Sequence, residues 1–172
     1  ITDNILSCGY GRTGRLVARQ FQQQRIPYVV NGRSPERLQA VNEGGALGVE
    51  ADDSREDVLK RVGIERARGL IAAVGTDAEN VYAVLSARVM RPDLFIVGRA
   101  ETEDATIKLK RAGANRVISP YQIGGLHIAQ TALRPAVVDF MELATSSDNL
   151  DLAMEQITID GQSPLANRAV VE

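Results

Sequence analysis

The sequence predicts an α/β fold: a Rossmann-type, doubly wound parallel sheet, followed by a crossover helix. Three observations carry that prediction. Continuously apolar runs recur between Ile5 and Ile118, as expected of strands buried on both faces. Amphipathic helical patterns alternate with these runs, several opened by a capping signal, and the connections are short. Between the first run and the first helix stands Gly9-Tyr10-Gly11-Arg12-Thr13-Gly14, a G-x-G-x-x-G turn in its strand–turn–helix setting.

That turn is the first candidate binding element. Gly9 permits the tight turn, Gly11 lets a pyrophosphate approach the backbone, and Gly14 allows the helix to pack closely on the strand. The helix start offers unpaired N–H groups and a positive dipole end to an anion. Arg12 stands where a guanidinium reaches a bound phosphate. Gly14, Val17, Ala18 and Phe21 share one helical face, which fits a helix lying on a sheet.

The remaining elements follow in order. Tyr28-Val29-Val30 is the expected second strand. Ser34 followed by Pro35 opens a helix to Asn42, which Gly44-Gly45 ends. Ala46 to Val49 is the third strand, and Ser54 with Asp57 forms a capping box for a helix to Val62. Leu70 to Val74 is the fourth strand. Thr76 and Glu79 cap the next helix, whose expected buried face is Val81, Val84, Leu85 and Ala87. Leu94 to Val97, a helix from Thr102 to Ala112, and Arg116 to Ile118 complete the alternation.

Composition narrows the function classes. A length of 172 residues suits one domain with a full core plus a fragment of a second. A net charge of −2 provides no basic footprint for nucleic acid. No apolar run approaches the ~20 residues that cross a bilayer, so no membrane insertion of this segment is expected. The chain does not start with Met, and it is expected to be a piece of a longer protein. The single cysteine, Cys8, precludes an internal disulfide and reads as a small core residue. One histidine, His127, leaves little material for His-based catalysis.

Ligands of such sheets sit beyond the carboxyl ends of the strands, where strand order reverses. Besides the glycine turn, this selects Asn31, Gly32 and Arg33, then Asp52 and Asp53, then Thr76, Asp77 and Asn80, and Arg99. Asp52 is placed either to accept from an adenine amino group or simply to stand solvated before a helix. Asp77 and Asn80 read either as ligand-facing groups or as helix-start residues. Arg99 ends an apolar strand and needs an anionic partner, a phosphate or a carboxylate such as Glu101. NAD-binding domains carry an acid at the end of the second strand to hold the ribose 2′-hydroxyl. Asn31-Gly32-Arg33 has none there. Two readings stand: Arg33 accommodates a 2′-phosphate, or the site has drifted from NAD.

Ser119-Pro120 opens a last helix, and Pro135 follows its final turn. Ile123 and Leu126 lie on one side of it, Ile128 and Ala132 on another. A helix with two apolar faces needs two surfaces to cover them, so a homodimer through residues 121–133 is expected.

Four stretches together carry a resemblance: Cys8 to Gly14, Gly63-Ile64-Glu65-Arg66-Ala67-Arg68-Gly69, Arg111 to Pro120, and Leu133-Arg134-Pro135-Ala136-Val137-Val138-Asp139-Phe140. They resemble the RCK domain (regulator of potassium conductance, or Trk N-terminal type), in order and over nearly the whole chain. The resemblance implies a cytosolic ligand-sensing domain that gates an attached or associated potassium channel or transporter. It implies a cytoplasmic position at the inner face of the membrane, and an adenine nucleotide ligand: NAD(H), NADP(H), ADP or ATP. By it, residues 1–134 form the nucleotide lobe with its crossover helix, 135–150 a helix and linker, and 151–172 the beginning of a C-terminal lobe, with Ile157-Thr158-Ile159 as a strand. Two departures stand out. Gly32 replaces the family's usual acid, and Ala73 and Arg99 replace carboxylates of the calcium-gated branch, leaving Glu101, so that branch's calcium site is not expected. The competing class is a fragment of a nicotinamide-dependent oxidoreductase. No lysine, tyrosine or histidine is placed by motif as its acid or base, so no enzymatic activity is expected.

Overall fold

The computed structural model describes residues 3–50 and 56–145. Its strands are β1 (Asn4–Cys8), β2 (Tyr28–Gly32), β3 (Leu47–Glu50), β4 (Ala67–Ala72), β5 (Phe95–Arg99) and β6 (Arg116–Ile118). Between them run α1 (Arg12–Gln23), α2 (Pro35–Glu43), α3 (Glu56–Arg61), α4 (Asp77–Met90) and α5 (Glu103–Arg111). The strands form one parallel six-stranded sheet in the order β3-β2-β1-β4-β5-β6. The expected doubly wound fold is therefore present. Its winding reverses between β1 and β4, whose ladder runs from Asn4 opposite Ala67 to Cys8 opposite Ala72.

Alternation along the strands separates two apolar layers. Leu6, Val29, Leu70 and Ile96 pack with Leu59, Ala83, Val84 and Leu109, which belong to α3, α4 and α5. Tyr28 and Val30, neighbours of Val29 but on the opposite face, pack with Ala18 of α1 and Leu38 and Val41 of α2. Each fully buried Leu or Val side chain contributes about 1.5–3 kcal/mol of transfer free energy. The central strands are covered on both faces and carry no polar stripe, whereas Leu47, Phe95 and Ile118 on the outer strands are exposed.

β4, β5 and α4 differ from the sequence reading, each for a local reason. β4 begins at Ala67 and leaves the ladder after Ala72; Ala73 N–H still donates to the Cys8 carbonyl, and Val74 N–H turns to the Asn80 side chain. β5 runs on to Arg99 because β6 pairs with its last residues. On α4 the buried residues are Asn80, Ala83, Val84, Ser86 and Ala87, whereas Leu85 is exposed. The face is turned by Asn80, whose amide takes a core position to tie β4 to β5. The cap expected from Ser54 lies outside the described residues.

The chain divides into two units, residues 1–125 and 126–172. The division falls within α6 (Pro120–Leu133), a single helix. In the second unit α7 (Pro135–Thr145) follows; Arg134 N–H donates to the Gln130 carbonyl at 2.7 Å, and Pro135 starts the next helix. The segment expected to open a C-terminal lobe, with Ile157 to Ile159, lies outside the described residues. Among the described residues no helix is long and apolar enough to cross a membrane.

Candidate functional site

The glycine turn is built by close approach. Gly9 has φ +95°, and a Cβ there would lie 2.5 Å from the Ala73 carbonyl oxygen. A Cβ on Gly14 would lie 2.2 Å from the Gly9 carbonyl oxygen. Side chains at either position would push α1 and the β4 end away from β1. Gly11 differs: a Cβ there would meet nothing within 4 Å. Gly11 is also the N-cap of α1 and gives no side-chain cap, so the first N–H groups of the helix have no intrahelical or capping acceptor.

Beside this turn lies a cavity of ≈ 800 Å³ at the carboxyl ends of β1, β2 and β4. Its size is that of a nucleotide or cofactor site. Gly9, Tyr10, Gly11, Arg12 and Thr13 form one wall, and Gly32 and Arg33 another. Ala73, Val74 and Gly75 follow β4, and Arg99 and Glu101 close the far side.

Among the described residues, four guanidinium groups line this cavity, those of Arg12, Arg33, Arg37 and Arg99, with two carboxylates, Glu79 and Glu101. Arg99 donates to Glu101 at 2.8 Å and to the Val74 carbonyl at 2.6 Å, so its expected anionic partner is Glu101. Arg33 donates to Glu79 Oε1 at 2.7 Å, bridging the end of β2 to the start of α4. The other oxygen, Glu79 Oε2, accepts from Thr76 N–H at 3.1 Å and from the Thr76 hydroxyl at 2.9 Å, completing a capping box. Burial alone would raise the Glu79 carboxyl. Hydrogen bonds from Thr76 and Arg33, with the Arg33 charge, outweigh it and hold the group below the ordinary glutamate value. Arg12 donates to the Tyr121 hydroxyl at 3.2 Å.

The other sequence candidates serve the frame around the cavity. Thr76 caps α4. Asp77 accepts from Glu101 N–H, Thr102 N–H and the Thr102 hydroxyl, holding the turn after β5. Asn80 accepts from Val74 N–H and donates to the Arg99 carbonyl. Asn31 is buried in β2, its carbonyl accepting from Gly9 N–H at 2.9 Å. These four and Gly14 do not line the cavity. Asp52 and Asp53 lie outside the described residues.

Sequence reasoning passed over Ser34, Arg37, Leu38, Glu79, Pro120 and Tyr121 as cavity residues. Arg37 had a signal: it stands in the first turn of a helix that starts beyond the second strand. Tyr121 had none, because only the course of the chain after β6 brings it to the glycine turn.

The TrkA-N domain family model matches residues 5–120. Over 177 aligned residues the chain is 36% identical to "Probable potassium channel protein 2" of Methanocaldococcus jannaschii, covering 99% of this chain and 52% of that protein. The chain thus spans about half the length of the curated relatives it matches. Among solved structures, the TrkA-N domain of the inner membrane protein YbaL from Escherichia coli superposes with a TM-score of 0.71 at 30% identity, covering 79% of this chain and 98% of that one. GsuK bound to ADP does so with a TM-score of 0.66 at 27% identity, covering 75% of this chain and 33% of that one. Fold, glycine turn and family match agree: the chain belongs to the TrkA-N domain family.

Proposed function

We propose that this chain is the ligand-sensing domain of a potassium channel or transporter, and that an adenine nucleotide occupies the cavity at the β1/β4 reversal. The observation that carries this reading is the open Cβ position of Gly11 beside Arg12, at a helix start whose N–H groups lack acceptors. Pyrophosphate fits that place by shape and by charge. The relative named as a potassium channel and the GsuK structure with ADP support the same reading. Bound nucleotide biases the attached pore only by the difference in its affinity for the two gating states. The domain works at the cytoplasmic face, and residues 121–133 pair two copies, stacking into a ring on the pore.

A nicotinamide-dependent oxidoreductase is the weaker reading. Three ionisable groups of the cavity that would serve it are already engaged: Tyr121 with Arg12, Glu79 with Arg33, Glu101 with Arg99. The test has two parts. Calorimetry with AMP, ADP, ATP, NAD and NADP on this chain should show binding that Gly11→Val removes. Potassium flux into vesicles carrying the full parent protein should change when the same nucleotide is added. Absence of binding by every nucleotide sinks the reading.

A further inference from the structure

We infer that the ligand carries a phosphomonoester on the 2′ position of its adenosine ribose, as in NADP(H), and that Arg37 with Arg33 receives it. This rests on the adenine-nucleotide reading and specifies it. Of the cavity's four guanidinium groups, Arg33 and Arg99 face carboxylates. Among the described residues, Arg12 faces only a neutral phenol, and Arg37 makes no hydrogen bond or ion pair.

These two cations stand at different places. Arg12 belongs to the glycine turn and answers the pyrophosphate. Arg37 belongs to the first turn of α2, directly after the β2 end, where Rossmann domains place the adenosine ribose. A dinucleotide without a 2′-phosphate leaves Arg37 with no anion among the described residues. Gly32 adds no carboxylate to repel the phosphate, and Ser34 lines the same corner with a hydroxyl that does not cap α2. Arg33 is held by Glu79 Oε1, while the α4 cap uses Glu79 Oε2. A phosphate can therefore draw Arg33 from Glu79 without undoing the cap. Two planar guanidinium groups and a hydroxyl suit the oxygens of a phosphomonoester.

Calorimetric titrations at one salt concentration test this. The probes are NAD, NADP, and the equally charged 2′,5′- and 3′,5′-bisphosphates of adenosine. Wild type should bind NADP about 10- to 100-fold more tightly than NAD, the equivalent of one hydrogen bond to a charged group. The 2′,5′ isomer should bind more tightly than the 3′,5′ isomer. Arg37→Ala should abolish both preferences; Arg37 is exposed, and an unchanged thermal unfolding midpoint would establish that the variant folds. NAD binding as tight as NADP, or preferences that survive Arg37→Ala, overturns the inference and leaves the nucleotide reading standing. No binding by any probe overturns both.

Discussion

The hydroxyl of Tyr121, near the start of α6, accepts a hydrogen bond from Arg12 of the glycine turn, although the two residues are 109 positions apart. The residue facing the proposed phosphates is thus tied to the helix proposed to pair two copies. Both side chains are exposed, so the bond itself is worth little in the free protein. Arg12→Ala should weaken nucleotide binding by about 1.5–3 kcal/mol, the range for a hydrogen bond to a charged group. Tyr121→Phe removes a competitor for Arg12 and should leave binding equal or tighter. Calorimetry on the two variants checks the pair; weaker binding by Tyr121→Phe would place the phenol itself on the ligand.

The three glycines should separate by what they are for. Gly11→Val adds a branched side chain in open space, so it should abolish nucleotide binding with an unchanged unfolding midpoint. Gly9→Ala and Gly14→Ala drive a Cβ into backbone oxygens and should destabilise the fold by at least the ~1–3 kcal/mol typical of overpacking. Thermal unfolding and calorimetry on all three decide it. A folded Gly11→Val that still binds would remove the turn from the site.

Gly32→Asp places an acid where NAD-binding domains carry one. The nearest atoms to a Cβ there are Leu38 Cδ2 and Tyr10 N, both at 3.9 Å, so the side chain fits. The variant should shift preference from NADP towards NAD by about 1–3 kcal/mol. Paired titrations of the variant and wild type read this directly; an unchanged ratio would mean that the end of β2 does not choose the nucleotide.

Glu79 links pH to stability. Its carboxyl is held below the ordinary value by Thr76 and Arg33 against the effect of burial, so its contribution is present above the unfolded-state pKa. That contribution is lost as pH falls through the lower folded-state value. Glu79→Gln keeps an acceptor for the Thr76 cap and removes the charge facing Arg33. The variant should be less stable than wild type at neutral pH, and the difference should shrink on acidification. Unfolding midpoints measured across that range check the sign; a constant difference would assign the loss to packing.

The proposed dimer offers a further test. Tyr121, Ile123, Leu126, Ile128 and Leu133 are exposed apolar residues of α6. Ile123→Asp or Ile128→Glu should weaken association roughly 10- to 100-fold each, the equivalent of one buried large apolar side chain. Sedimentation across a concentration series reads it. Wild type that stays monomeric throughout would count against the pairing.

The alternation of apolar runs with capped amphipathic segments determined the doubly wound fold, because each run can be buried only between helices on both faces. The glycine spacing determined where an anion-facing turn stands, since a positive φ at Gly9 and the contact of Gly14 with Gly9 are local demands on backbone space. Thr76 with Glu79 as a cap was equally legible, being a contact three residues long. What the tertiary structure decided are the partners of charged side chains. Arg33 and Glu79 are 46 positions apart and Arg12 and Tyr121 are 109, so no periodicity signals either pair. Asn80, placed beyond a strand end like any ligand-facing residue, turned inward because the Val74 N–H and the Arg99 C=O needed partners, while Asp77 braces the exposed turn after β5. Chain-local geometry is written in spacing; the direction of a long side chain is chosen only when the sheet brings its neighbours together.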